Sequence, residues 1–171
     1  VLLGACNSTR FVPEGKYLLN RITVKADDKN LKREELKTHI RQKENLRILG
    51  MLKFHLGVYN LSSGKKDNDW LKRIGEAPVL YDEFQTTRSK EQLRIFLKNK
   101  GYYNAVVTDS LVINQEKKKL NLIFTIQAQQ PYRIRNYVYA IKDMNLREVI
   151  LKDSVNQLLK KNDIFDLDVL N

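Results

Sequence analysis

The feature that most constrains this chain is that it carries a copy of part of itself. Tyr132 lies 115 residues after Tyr17, and at the same offset Leu19 matches Ile134 and Asp28 matches Asp143. Asn30-Leu31 then matches Asn145-Leu146, and the register runs on through Lys32/Arg147, Leu36/Leu151, Lys37/Lys152 and Ile40/Val155 without a gap. A second match has a shorter offset of 84, pairing Leu80-Tyr81-Asp82 with Ile164-Phe165-Asp166. The first copy therefore holds 31 additional residues, which fall within about 45–79. A chain built this way must fold as the same supersecondary unit twice, once with an insertion.

Each copy reads alike. "YLLNRITVKADD" and "YRIRNYVYAIKD" alternate apolar and polar residues with the period of a strand. A turn ending in Asn30 or Asn145 follows, a residue type suited to capping a helix. Leu36 and Ile40, like Leu151 and Val155, are four apart and share one helical face. In the first copy "SKEQLRIFLKNKG" is a second helix, with Leu93, Phe96 and Leu97 as its apolar stripe and Gly101 as its stop. So tight a reversal calls for a left-handed backbone position at Gly101. Two further strands, "YYNAVVTDSLVIN" and "KLNLIFTIQA", flank a lysine-rich tip, Glu116 to Lys119. The unit is strand, helix, helix, strand, strand. The second copy stops where its second helix should begin, without the equivalent of 83–129, so it reads as truncated.

The insertion departs from that plan. "LRILGMLKFHLGVYNL" is dense in apolar residues, among them Ile48, Leu49, Met51, Leu52, Phe54, Leu56, Val58, Tyr59 and Leu61, with Gly50 and Gly57 weakening it as one long helix. It either folds back on its own unit or forms a surface that meets lipid or a partner. The polar stretch after it carries Trp70, Leu71 and Ile74 as a possible anchor.

Cys6 is the only cysteine in 171 residues, which excludes an internal disulfide and a multi-Cys zinc site. A catalytic thiol needs an activating partner, and neither His39 nor His55 lies in a supporting motif. An incidental thiol is a second reading. The third is processing: Leu3-Gly4-Ala5-Cys6 resembles a bacterial lipobox, in which the cysteine carries the lipid, with polar "NSTR" after it. Three acyl chains on such a residue would exceed the two signals that stable anchoring needs.

No enzymatic motif is present: no glycine-rich phosphate loop, no Ser-His-Asp pattern, no His-x-x-His metal spacing. Asp27-Asp28 sits at a strand end and Asp166-x-Asp168 at a helix start, both places where carboxylates serve local structure. The expectation is a non-enzyme with no cofactor and no metal site. The net charge of +11 raises nucleic acid or an anionic membrane as partners, although the basic residues are spread along the chain and no aromatic-interleaved RNA-binding motif occurs. A soluble, basic nucleic-acid-binding protein is the alternative reading. No apolar run is long enough to span a bilayer as a helix.

The repeated unit with Gly-Tyr after its second helix, above all "KNKGYYNA", resembles the POTRA domain of the outer-membrane barrel assembly and translocation superfamily that includes BamA and TamA. "CNSTRFVPEGKYLLN", "FHLGVYNLSS", "YDEFQTTRS" and "PYRIRNY" are similar to a lipoprotein form of the TamA type. The resemblance implies an α+β fold of tandem POTRA units, each a three-stranded mixed sheet with two helices on one face. Residues 1–16 would be the end of a signal peptide and a lipid-anchored linker, 17–129 a first POTRA domain with its insertion, and 130–171 the start of a second. It further implies acylation at Cys6, a periplasm-facing position at the outer membrane and a barrel beyond Asn171. The implied partners are outer-membrane protein substrates and an inner-membrane or periplasmic subunit, bound by β-augmentation, with no nucleic acid. A three-stranded sheet leaves edges for such pairing; which strand is open is not written in the residues.

Overall fold

The computed structural model describes residues 9–46, 53–62, 70–138, 140–152 and 159–169. Strand β1 (Leu18–Ala26) leads to helix α1 (Arg33–Thr38), then α2 (Phe54–Asn60), α3 (Trp70–Ile74) and the long α4 (Glu83–Asn99). Strands β2 (Val106–Asn114) and β3 (Lys119–Gln127) form a hairpin, and α5 (Met144–Lys152) precedes a short 3-10 turn, Leu167–Val169. The sheet has the order β1-β3-β2, with β1 parallel and β2 antiparallel to the central β3. This is the expected α+β unit with a three-stranded mixed sheet.

β3 buries every second residue, and Leu120, Leu122, Phe124 and Ile126 all enter the main core. Leu36 and Ile40 from the α1 region join that core, as do Leu93, Phe96 and Leu97 from α4, so both helices cover the same sheet face. Four fully buried aliphatic or aromatic side chains on one strand stabilise the sheet by roughly 6–12 kcal/mol before chain entropy is counted. β1 departs from simple alternation. Leu19 and Val24 both lie in the main core although an odd separation should put them on opposite faces. A register shift between Leu19 and Arg21 resolves this. Leu18, on the opposite face from Leu19, joins a second, smaller cluster with Val12 and Leu56, and the Asn20 side-chain amide donates to Asn121 Oδ1 at 2.7 Å.

Two local expectations are corrected. Asn30 and Asn145 do not cap helices; Asp28 and Asp143 instead accept hydrogen bonds from the Asn30 and Asn145 amides, at 2.8 and 2.9 Å. A carboxylate two residues earlier leaves the asparagine amide as donor: Asp28 closes an Asx turn, and Asp143, which also accepts from the Leu146 amide at 3.1 Å, caps α5. Helix α4 begins at Glu83 rather than Ser89, because the Asp82 side chain accepts from the Gln85 amide and caps it there. The Ser89 hydroxyl, buried mid-helix, donates to Gln85 O and accepts from the Arg41 amide.

The two offsets recur in main-chain hydrogen bonds. Tyr81 N donates to Tyr17 O, and Phe165 N donates to Tyr132 O, both at 2.9 Å. Leu19 N to Val79 O corresponds to Ile134 N to Asp163 O, and the isolated bridge Leu18–Leu80 corresponds to Arg133–Ile164. Asp166 accepts from the Asp168 amide at the start of the 3-10 turn, where Asp82 caps α4 in the first copy. The expected strand over 132–143 is not formed beyond that bridge. β1 is extended because β3 pairs with it along its length, whereas no described strand lies beside 134–138. For the same reason Met144, Leu146 and Val149 of α5 are exposed. Leu151 and Val155, expected to share a face, lie outside what is described of the side chains.

Candidate functional site

The sheet has two edges, and they are treated differently. The outer side of β1 is occupied. Leu18 bridges Leu80, Leu19 N donates to Val79 O, Lys53 Nζ reaches Leu19 O at 3.3 Å, and a Glu44 carboxylate oxygen accepts from Ile22 N. Segments on either side of α2 and α3 thus cover this edge with main chain, a cation and a carboxylate. The outer edge of β2 has no strand beside it among the described residues.

β2 also lacks the usual protection. Edge strands are commonly blunted by lysines, prolines or inward-pointing charges. "VVTDSLVIN" contains no proline and no cation, and its one charge, Asp109, is neutralised by Lys90 of α4 at 2.6 Å. Val106 and Val112 are exposed on one face of the strand. On the other face Val107 is buried under α4, while Leu111 and Ile113 remain exposed beside Phe84 at the start of that helix. Together with Tyr17, Leu80 and Tyr81 they line a groove of about 620 Å³. Arg88 lies over the Phe84 ring, 4.9 Å from its centre. An extended chain laid against β2 would find an edge with no strand beside it among the described residues, although Arg94 of α4 already donates to Val107 O at 3.3 Å, and at one end a groove in which these apolar side chains are joined by Lys16, Asp82 and Glu83.

A second arrangement joins the copies. Lys100, at the end of α4, places Nζ 2.7 Å from Asp168 Oδ2, 3.1 Å from Asp166 Oδ2 and 4.0 Å from Glu35 Oε1. The hydrogen bond that Lys100 donates to Asp168 leads the causes that raise the Lys100 pKa above 10.5; burial opposes it and Asp166 adds to it. Gly101 has φ +85°, and the Tyr132 amide donates to its carbonyl at 2.8 Å. Tyr102 is buried and its hydroxyl donates to Asp28 Oδ2 at 2.9 Å. Burial first, and then that carboxylate, push its pKa up to about 12. Tyr103 packs on Tyr132 and Phe165, with ring centres 5.0 and 6.4 Å away.

Cys6 lies outside the described residues. His39 stacks on Phe96 with ring centres 4.3 Å apart, and His55 packs edge-on against Phe54; neither faces a nucleophile. Asp27 accepts from the Ala128 amide and Asp28 from Tyr102, so both acidic residues hold structure together, across 101 and 74 residues of chain. Among the described residues no group of three or more His, Cys, Asp or Glu is placed to hold a metal ion, and no helix is long and apolar enough to cross a membrane. Sequence reasoning found Asp166 and Asp168 but not their partner, because Lys100 reaches them across 66 residues or more. The signal available was the pair of lysines flanking Asn99 before Gly101.

A mixed three-stranded sheet in the order β1-β3-β2, with two helices on one face, no strand beside β2 among the described residues and a Gly-Tyr reversal after the second helix, is an α+β domain of the POTRA class. The chain belongs to the POTRA family, described as surface antigen variable number repeat, whose family model matches residues 17–129. POTRA domains are non-enzymatic interaction modules typical of outer-membrane assembly proteins. Among solved structures, the chain is similar to POTRA domains 3 to 5 of BamA from Haemophilus influenzae, at 11% identity and a TM-score of 0.34, over 94% of this chain and 85% of that one. No curated protein sequence matches the chain.

Proposed function

We propose that this chain is the periplasm-facing part of an outer-membrane assembly or translocation lipoprotein of the TamA type. It takes an extended segment of an outer-membrane substrate or a partner subunit onto the free edge of β2. The observation that carries the reading is the asymmetry of the edges: β1 is covered by Val79, Lys53 and Glu44, while β2 has one charge, the paired Asp109, and no strand beside it among the described residues. In this reading residues 17–129 are a first POTRA domain, 130–171 open a second, and Cys6 carries the lipid that holds the chain to the inner face of the outer membrane.

The test is amide hydrogen exchange with a synthetic peptide copying a terminal barrel strand of alternating aromatic and polar residues. Alternate amides of β2, from Val106 to Asn114, should gain protection when it binds, because outward-facing amides recur every second residue. Binding that protects β1 or no strand at all would reject the edge assignment. Acylation is read separately: protein extracted from host membranes should begin at Cys6 and carry acyl mass.

A further inference from the structure

The α2–α3 insertion presents an apolar surface that neither the core nor the β2 edge uses. On α2, Leu56 is fully buried against Val12 and Leu18, with Asn60 buried one turn on. Phe54 and Leu61 sit on the other side, 57% and 68% exposed, with Val58 between them at helical spacing. On α3, Trp70 and Ile74 are four apart and 63% and 55% exposed. The two helices pack together closely enough that a Cβ on Gly75 would lie 2.5 Å from Tyr59 N. A soluble unit has no reason to hold four large apolar side chains out on two adjoining short helices.

We propose that this α2–α3 face rests on an anionic phospholipid bilayer, with Phe54, Leu61, Trp70 and Ile74 entering the headgroup layer. Charge complementarity favours a membrane over a protein partner. The chain carries 31 Lys and Arg against 20 Asp and Glu, and exposed Arg73 lies within the α3 turn that presents the apolar pair. Basic residues beside aromatic and aliphatic ones are the composition of interfacial helices, and Trp favours the interface itself.

A second observation points the same way and rests on the acylation of Cys6 proposed above. Residues just after Cys6 are fastened to α2. Arg10 donates to Asn60 O at 2.9 Å and to Ser62 O at 3.3 Å, and Phe11 packs edge-on against Tyr59 with ring centres 5.6 Å apart. Four residues of chain span at most about 14 Å. An acyl group on Cys6 therefore holds the Arg10 main chain within that reach of the bilayer, and α2 one arginine side chain further on. The lipid and the apolar face would form one continuous membrane contact, which fixes the orientation of the sheet and its free edge.

Trp70 is the only tryptophan, so its fluorescence reports on this face directly. The experiment uses the full chain as Cys6→Ser, which removes acylation from the result. With vesicles of phosphatidylglycerol and phosphatidylethanolamine, Trp70 emission should shift to the blue and be quenched by brominated acyl chains. Phosphatidylcholine vesicles should have little effect. Phe54→Ser with Leu61→Ser, both on the exposed face, should weaken vesicle binding at least ten-fold while circular dichroism is unchanged. Unmoved Trp70 emission, an equal response to phosphatidylcholine, or full binding by the double variant would each overturn the proposal. Failure to find acyl mass on Cys6 would remove the tether but leave the Trp70 result standing.

Discussion

The amide of Tyr132 donates to the carbonyl of Gly101 at 2.8 Å, so the reversal that ends α4 is also the place where the second copy is attached. Around that bond Lys100 pairs with Asp166 and Asp168, and Tyr103 packs on Tyr132 and Phe165. The same short stretch closes one unit and seats the next.

Gly101→Val should destabilise the chain by at least about 2 kcal/mol. The left-handed position alone costs a residue with a side chain about 1–2 kcal/mol. In addition, a Cβ there would meet Phe165 O at 2.8 Å and Ile164 Cγ2 at 2.9 Å, closer than ordinary van der Waals contact, so the chain at 164–165 would have to shift. Urea titration of both proteins measures it, and equal midpoints would contradict the strain.

Lys100→Met should cost about 1 kcal/mol at neutral pH, the upper range for a partly exposed ion pair, with the larger effect on the order of 165–169. The folded Lys100 pKa is raised above its ordinary 10.5. Its contribution is therefore complete below about pH 10.5 and is lost as pH rises through the folded value. Wild type and Lys100→Met should differ most at neutral pH and converge in strong alkali. A gap that widens with pH would show that the pairing has been misassigned.

Tyr102→Phe removes the hydroxyl that Asp28 accepts and should cost about 1–2 kcal/mol, as for a hydrogen bond to a charged group. The Tyr102 pKa is raised from 10.0 to about 12. Its contribution is thus full below pH 10 and falls away between there and about pH 12. Ultraviolet titration should show one late-ionising tyrosine in the wild type that is missing from the variant.

Gly75→Ala should loosen α2 from α3, because the added Cβ would sit 2.5 Å from Tyr59 N and 2.6 Å from Tyr59 Cα. Overpacking against main chain costs about 1–3 kcal/mol. Faster hydrogen exchange should appear in α2 and spare β3. Uniform acceleration throughout the sheet would mean that the insertion and the core unfold as one unit.

Much of this fold was legible along the chain because the relevant signals are local or repetitive. The offsets of 115 and 84 located main-chain hydrogen bonds that recur at those separations. The Leu93, Phe96 and Leu97 stripe specified the buried face of α4, and Gly101 its left-handed stop, since each depends on a few neighbouring residues. The β1 bulge was not legible: simple alternation puts Leu19 and Val24 on opposite faces, and only the register shift between Leu19 and Arg21 brings both into the main core. The open edge was not legible either. It depends on Glu44, Lys53 and Val79 reaching β1 from 22, 34 and 60 residues away, and on no strand lying beside β2 among the described residues, where only Lys90 and Arg94 of α4 reach across to Asp109 and Val107 O. Local pattern sets the elements through backbone preference and periodic burial; which hydrogen-bonding edge stays unpaired is a property of how distant segments pack, and it was decided only in three dimensions.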